Sequence, residues 1–185
     1  MQEQRQQQQQ QQERGGFPIF LNGVIERGFG RGSKLLGFPT ANIQITPENE
    51  KALEGMPMGV YFGFGVVTPT ESPRCGEECP AGLEAALARP HGHTVHKIAI
   101  TVGKNPSFKN ENKTIEAYIV HKFESDFYGA YARVVVLGFL HPMIPFTTLD
   151  DLIKSISNDV ANAEKELDNP LLEQYKSSYF DKYVK

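Results

Sequence analysis

A glycine-rich segment, Gly28-Phe29-Gly30-Arg31-Gly32-Ser33-Lys34, has the residue types that bind phosphate groups. Its alternate glycines allow backbone N–H groups to turn toward one point, and Arg27, Arg31 and Lys34 add positive charge. The segment is not a P-loop, since Ser33 stands where that motif and the dinucleotide motif need glycine. It therefore indicates a phosphate-binding loop, with a glycine-rich hairpin carrying solvated cations as the alternative.

A hydroxyl and a carboxamide follow at once, as Thr40 and Asn42 of the segment Gly37-Phe38-Pro39-Thr40-Ala41-Asn42. Their i, i+2 spacing in a strand directs both side chains to one face, so both can reach one cation. Mg²⁺ in phosphoryl-transfer sites takes few protein ligands and completes its octahedron with phosphate oxygens and water. The pair is thus a candidate Mg²⁺ site, and a polar cluster at the entry to a strand is the alternative.

Glu116 is a lone carboxylate in the middle of a β-type segment, Thr114–His121. Alternation puts the apolar Ile115, Ala117 and Ile119 on one face of the strand and Glu116 on the other. A carboxylate so placed can act as a general base that removes a proton from an attacking hydroxyl. A solvent-facing glutamate is the alternative.

Six β-type runs have to position these side chains. The runs are short and broken by Gly, Pro and Asn, with no long helical pattern between them, which predicts an antiparallel sheet or barrel. Gly63 and Gly65, set among aromatic residues in the third run, mark a bend, a bulge or the close approach of another backbone. The predicted strands are Ile19–Ile25, Ala41–Ile45, Val60–Val67, His96–Val102, Thr114–Val120 and Arg133–Leu140.

The spacing of apolar residues changes from that of a strand to that of a helix after the last predicted strand. Apolar residues recur at helical spacing over Thr147–Leu167, and Thr148 with Asp151 forms a capping-box-like start, which predicts an amphipathic helix laid on the β-structure. Pro170 ends this helix, and Leu171–Tyr183 is predicted to form a second, short and structural one.

Two segments fall outside this pattern. Residues 1–16 contain nine Gln and are predicted to be a disordered tail, so that the folded domain spans residues 17–185. Residues 68–95 form a long, proline-rich insertion between two strands. Thiols and imidazoles in this insertion invite a zinc interpretation, but their spacing matches no standard finger and a plain surface loop is favoured. They belong to Cys75, Cys79, His91 and His93, and His96 follows directly after the insertion.

The amino-acid composition and charge argue against several classes of function. Nineteen Lys and Arg against 22 Asp and Glu give a formal net charge of −3, which argues against a nucleic-acid-binding module. No run approaches the length of a membrane span and no secretory signal is visible. We expect a cytoplasmic monomer that binds neither nucleic acid nor membrane.

The sequence resembles the riboflavin kinase (flavokinase) family over about residues 18–168 and in the family's order. The glycine-rich loop followed by Pro-Thr-Ala-Asn is the most specific of the shared motifs. The segments that carry the resemblance are Gly28–Asn42, Gly59–Gly63, Gly103-x-Asn105-Pro106, Lys113–Glu116, His121–Phe123, Asp126–Gly129 and Gly138–Leu140.

This resemblance implies a six-stranded antiparallel Greek-key barrel that phosphorylates riboflavin with ATP, giving FMN and ADP. It assigns Glu116 as the base acting on the ribityl 5′-hydroxyl, and Thr40 and Asn42 as ligands of Mg²⁺ or another divalent cation. The implied nucleotide contacts come from Gly28, Lys34, Thr40, Ile119, His121 and Tyr128. The implied flavin contacts come from the flap after Gly138, namely His141, Ile144 and Phe146.

The chain departs from the family's habit at the flap, where His141 replaces the usual Arg. An imidazole cannot reproduce a guanidinium fork, and it carries a full charge only below a pKa near 6.5. We expect a monofunctional kinase. The alternative is a non-catalytic flavin- or nucleotide-binding protein on the same barrel, and the presence of Glu116, Thr40 and Asn42 argues against it.

Overall fold

The structure, a computed structural model, describes residues 16–27, 40–68, 94–104, 113–123 and 126–180. In these ranges the chain forms six strands and three helices. The strands are β1 (Ile19–Glu26), β2 (Ala41–Ile43), β3 (Gly59–Thr68), β4 (His96–Lys104), β5 (Lys113–Ile119) and β6 (Tyr131–Pro142). The helices are α1 (Pro47–Glu54), α2 (Leu149–Leu167) and α3 (Pro170–Phe180).

The six strands close into an antiparallel barrel in the order β1-β2-β5-β4-β3-β6, with β6 returning to β1. Strands β3, β4 and β5 pair in sequence, and β2 lies on the far side of β5, which is a Greek-key arrangement. The predicted six-stranded antiparallel Greek-key barrel is therefore confirmed. Among the described helices, none is long and apolar enough to cross a membrane.

Two apolar layers stabilise this architecture. Alternate residues of the strands fill the barrel interior, with fully buried side chains such as Leu21, Ile100 and Val136. A second layer forms where α2 and α3 cover the outer faces of β3, β4 and β6. Its buried side chains are Phe62, Phe64, Val66, Ala99, Val135, Leu137, Ala163, Leu167, Leu172 and Phe180. One side of the barrel is thus covered by helices.

Strand β3 bends where its glycines lie. The pairing of β3 with β6 shifts register between Val60 and Tyr61 and again between Phe62 and Gly63. A Cβ atom on Gly63 would stand 2.0 Å from the Val135 carbonyl oxygen, so only glycine allows the two backbones to approach this closely. The expected bulge and close approach are confirmed.

Helix α1 was not predicted, and the second strand is shorter than predicted. Strand β2 ends at Ile43, and the Thr46 side chain then accepts a hydrogen bond from the Asn49 N–H, which caps α1. Pro47 occupies the first turn and Glu48 adds a negative charge there. A Thr-Pro pair followed by acidic residues is typical of the start of a helix. It was overlooked because the predicted strand was extended up to it.

The C-terminal helices agree with the predictions. Thr148 caps α2 by accepting a hydrogen bond from the Asp151 N–H at 3.1 Å, and Asp168 forms the C-cap. Helix α3 begins at Pro170 and extends to Phe180, the last described residue. Pro170 therefore starts the second helix as well as standing after the first.

Several predictions concern residues that the structure does not describe. These are the glutamine-rich tail at residues 1–15, the glycine-rich loop at residues 28–39 and most of the insertion, residues 69–93. Cys75, Cys79, His91 and His93 belong to this last range, so of the residues in the zinc interpretation the structure describes only His96, the first residue of β4. Within the described ranges, no group of three or more His, Cys, Asp or Glu is arranged to hold a metal ion.

Asn49 links α1 to the barrel. Its side chain has no solvent exposure. The Nδ2 amide donates to the carbonyl oxygens of Asn22 and Gln44 at 2.7 and 3.0 Å, and Oδ1 accepts from the Asn22 N–H at 3.1 Å. The side chain thus pairs with the backbone of β1 as a neighbouring strand would, at the point where β2 has already ended.

We expect Asn49→Ala to lower the free energy of unfolding by about 2–4 kcal/mol, because it leaves buried backbone groups without hydrogen-bond partners. Urea denaturation measures this change. Asn162→Ala, at an exposed position of α2, is the matched control and should shift stability by less than about 0.5 kcal/mol. Equal effects of the two substitutions would contradict the role given to Asn49.

Candidate active site

One row of cross-strand partners runs over the outside of the barrel. Asn42 on β2 pairs with Glu116 on β5, which pairs with Thr101 on β4. Thr101 pairs with Val60 on β3, and Val60 pairs with His141 on β6. Four inter-strand steps of about 4.8 Å make this row about 19 Å long. Five side chains from five strands thus lie in one line, with the candidate metal ligand at one end and the candidate flap residue at the other.

The alternation of the strands explains why the row faces outward. Ala41 and Ile43 on β2 pair with Ala117 and Ile115 on β5, and all four are buried in the barrel interior. The residues between them, Asn42 and Glu116, must therefore point to the outer face, where both are half-buried. Interior packing fixes the outward direction of the polar pair.

Glu116 and Asn42 are direct neighbours. Side chains opposite each other in an antiparallel pair have Cβ atoms about 4.5–5.5 Å apart, so the carboxylate and the carboxamide share one small region. Thr40 stands two residues before Asn42, immediately ahead of β2, and is also half-buried. These three residues offer a hydroxyl, a carboxamide oxygen and a carboxylate, a set of oxygen atoms that suits a hard divalent cation.

The end of β5 carries a cluster of aromatic rings. The His121 imidazole stacks on His96 with centroids 4.6 Å apart, and Phe123 contacts both imidazoles edge-on. Phe123 in turn packs against Phe127 at 4.3 Å. Ile119, also predicted to contact nucleotide, is only 9% exposed and belongs to the barrel interior. The cluster therefore presents His121, with His96 beneath it, as the accessible group at this end of the strand.

Tyr128 lies beside the start of the glycine-rich segment. The Arg27 guanidinium stands over the Tyr128 ring, 4.6 Å from its centroid. The next residue, Gly129, has φ +85°, a turn conformation that favours glycine, and its N–H donates to the Ile25 carbonyl. These two contacts hold the turn at Tyr128 and Gly129 against the end of β1. Gly28 and Lys34, which follow β1 in the chain, lie outside the described residues.

A groove of about 320 Å³ lies between the segment after β6 and the first half of α2. On one side it is lined by Ile144 and Phe146, which are 50% and 39% exposed. The other residues of its lining are Pro145, Thr147, Asp151, Lys154, Ser155 and Asn158. Exposed apolar side chains facing a polar helix surface can hold a flat, amphipathic molecule.

His141 connects the end of β6 to α2. Its Nε2 lies 2.6 Å from Asp159 Oδ1, and its Nδ1 lies 2.8 Å from the Pro142 carbonyl oxygen. The hydrogen bond to Asp159 raises the pKa of His141 above its usual value, and the bond to Pro142 acts in the same direction. Sequence reasoning singled out His141 but missed Asp159, although Asp151, Ser155 and Asp159 recur at the four-residue spacing of one helix face.

Comparison with known proteins places the chain in a family. The family model for riboflavin kinase (Flavokinase) matches residues 15–167. Riboflavin kinase from Meyerozyma guilliermondii is 36% identical over 176 residues, which cover 87% of this chain and 90% of the relative. Riboflavin kinase from Mus musculus is 35% identical over 157 residues, covering 83% of each chain.

A solved structure gives the same result. The crystal structure of riboflavin kinase from Trypanosoma brucei has a TM-score of 0.60 and 28% sequence identity to this chain. The similarity covers 87% of this chain and 84% of that one. Because the family model spans most of the sequence and the relatives align over most of their own length, the chain belongs to the riboflavin kinase family.

Proposed function

We propose that Glu116, Asn42 and Thr40 form the reaction centre at which this enzyme transfers the γ-phosphoryl group of ATP to the ribityl 5′-hydroxyl of riboflavin. The products are FMN and ADP. Membership of the family supports the reaction. The observation that carries the site is the pairing of Asn42 with Glu116, which brings a base and an oxygen ligand side by side.

Glu116 is the general base. In an in-line displacement the ribityl oxygen forms a bond to the γ-phosphorus while the bond from that phosphorus to the β,γ-bridging oxygen breaks. The hydroxyl proton passes to the Glu116 carboxylate, and ADP leaves with the bridging oxygen and its negative charge. Positioning and electrostatic stabilisation dominate this chemistry, so the fixed register of β2 and β5 matters more than any single contact.

Thr40 and Asn42 are the residues that would hold a divalent cation, with Mg²⁺ as our proposal. A hydroxyl and a carboxamide oxygen beside a carboxylate suit a hard cation that keeps water and phosphate oxygens as further ligands. Such a cation would neutralise negative charge that develops on the phosphate oxygens.

The nucleotide is proposed to extend from this pair toward the Tyr128 turn. Gly28 and Lys34 would contact the phosphates through backbone N–H groups and an ammonium group. His121 and Tyr128 would contact the rest of the nucleotide. Ile119 ends β5 with its side chain in the barrel interior, so it would contribute through its backbone. Support comes from the Arg27–Tyr128 contact, because Arg27 is the last described residue before the glycine-rich segment in the chain.

Riboflavin is proposed to bind from the opposite direction, along the groove beside α2. Ile144 and Phe146 would provide apolar contact to the isoalloxazine ring. His141 would act from the end of the same groove. The outer row of cross-strand partners joins Glu116 on β5 to His141 at the end of this groove.

We also propose that the enzyme is a cytoplasmic monomer whose folded domain spans residues 17–185, with residues 1–16 as a tail. The closed barrel supports the monomer, because each of the six strands already has two neighbours.

We expect Glu116→Gln to lower kcat by about 10²–10⁴-fold, because the amide cannot accept the hydroxyl proton. Chromatography of FMN formed from riboflavin and Mg-ATP measures the rate. ATP binding, followed by calorimetry, should remain within about 3-fold of wild type, since the base acts only on the attacking group.

Glu173→Gln is the matched control, because Glu173 is an exposed residue of α3 paired with Lys176. It should leave kcat unchanged. If Glu116→Gln kept the wild-type kcat, Glu116 would not be the general base. If the wild-type protein bound riboflavin and ATP but formed no FMN, the non-catalytic alternative would be favoured.

For Asn42→Ala we expect the Mg²⁺ concentration that gives half-maximal activity to rise by about 10-fold or more, because one oxygen ligand is lost. Titrating activity with MgCl₂ at saturating ATP and riboflavin measures this shift. Thr40→Ala should act in the same direction, whereas Asn162→Ala should not. A reduced rate with an unchanged Mg²⁺ requirement would show that Asn42 does not bind the cation.

A further inference from the structure

The hydrogen bond between His141 and Asp159 stands at one end of the proposed riboflavin groove. The helix side of the groove is lined by residues at helical spacing from Asp151 to Asn158, and Asp159 is the next residue of α2. The other side is the segment that begins three residues after His141, with Ile144. The contact therefore joins β6, which leads into one wall of the groove, to α2, which forms the other wall.

The two partners of His141 favour its protonated form. Its Nε2 faces a carboxylate oxygen and its Nδ1 faces a carbonyl oxygen, and both of these atoms only accept hydrogen bonds. A neutral imidazole has one N–H and can satisfy only one of them. The imidazolium has two N–H groups and can donate to both, so this pair of contacts favours the charged ring.

We propose that Asp159 is a positioning residue of the riboflavin site, which holds His141 as a cation and thereby fixes the segment after β6 against α2. This inference rests on the proposed function, because it assigns a role within the groove that we propose for riboflavin. Asp159 itself is not expected to touch the substrate, since its carboxylate is engaged by His141.

The surroundings of His141 make the contact sensitive to pH. Asp159 faces the ring from α2, the Pro142 carbonyl faces it from β6, and the neighbour on β3 is the apolar Val60. The other charged groups of the groove, Asp151 and Lys154, lie further toward the start of α2. The bond to Asp159 raises the pKa of His141 in the folded protein.

The direction of the effect follows from that shift. A His whose pKa is raised on folding contributes its full stabilisation below the unfolded value of about 6.5. The contribution is lost as the pH rises through the folded value, because the neutral ring gives up one of its two hydrogen bonds. The segment after β6 should therefore be held firmly against α2 at low pH and less firmly at high pH. The guanidinium that the family usually places here would stay charged throughout.

We expect KM for riboflavin to rise on the order of 10-fold between about pH 6 and about pH 9, with a smaller change in kcat, since a charge-assisted hydrogen bond is lost. In Asp159→Asn, KM at low pH should already equal the high-pH value of wild type. His141→Arg should abolish the dependence, because an arginine remains charged and can still pair with Asp159. Quenching of riboflavin fluorescence gives the dissociation constant without turnover.

Asp168→Asn is the matched control. Asp168 pairs with Lys97 at 2.6 Å near the other end of α2, and its carboxylate is largely exposed. This variant should keep the wild-type pH profile. NMR titration of the imidazole signals should place the pKa of His141 above 6.5 in wild type and lower in Asp159→Asn.

The outcomes separate this inference from the proposed function. Identical pH profiles of riboflavin affinity in wild type and His141→Arg would overturn it, and so would a folded Asp159→Asn enzyme with unchanged affinity at low pH. Thermal melting establishes that the variants are folded. Absence of FMN formation by wild type at every pH would instead count against the proposed function, whatever the binding curves show.

Discussion

The register between β2 and β5 is the constraint on which the proposed site depends. Three cross-strand pairs align these strands, and the middle one joins Asn42 to Glu116. A slip of one residue would turn Glu116 into the barrel and bring Ala117 or Ile115 outside, at the cost of burying a charge and exposing apolar side chains. The packing of the barrel interior thus enforces the same alignment that brings the candidate base to the candidate metal ligand.

Closure of the barrel extends this constraint across the molecule. Because each strand is held on both sides, the row that begins at Asn42 continues without interruption to His141 on β6. Helices α2 and α3 cover the barrel over β3, β4 and β6, and their buried layer fixes where α2 can stand. Asp159 meets His141 because that layer holds α2 against the end of β6. The apolar layer under α2 and α3 therefore positions the groove. The packing of the barrel interior positions the Asn42–Glu116 pair.

Sequence patterns predicted the six strands because alternation and glycine or proline breaks are local signals. The Thr148 cap and the apolar period of α2 were equally readable. Helix α1 was missed because the alternating pattern was followed through Ile45 and the Thr46-Pro47 start signal after it was not considered. The side chain of Ile119 fills the barrel interior, as its alternation with Tyr118 already indicated, and its contact with the nucleotide stays a prediction. The roles of the site residues remain predictions that the proposed substitutions test.

By itself the sequence determined the class of fold, the family, and the residue types available for phosphoryl transfer, because these depend on local periodicity and on motifs read along the chain. Only the tertiary structure decided which side chains are neighbours. Glu116 and Asn42 are distant along the chain, and their pairing depends on a strand order that no local pattern encodes. The same holds for Asp159: its contact with His141 arises from the packing of a helix on a barrel, and side-chain packing at such distances is a property of the folded chain as a whole.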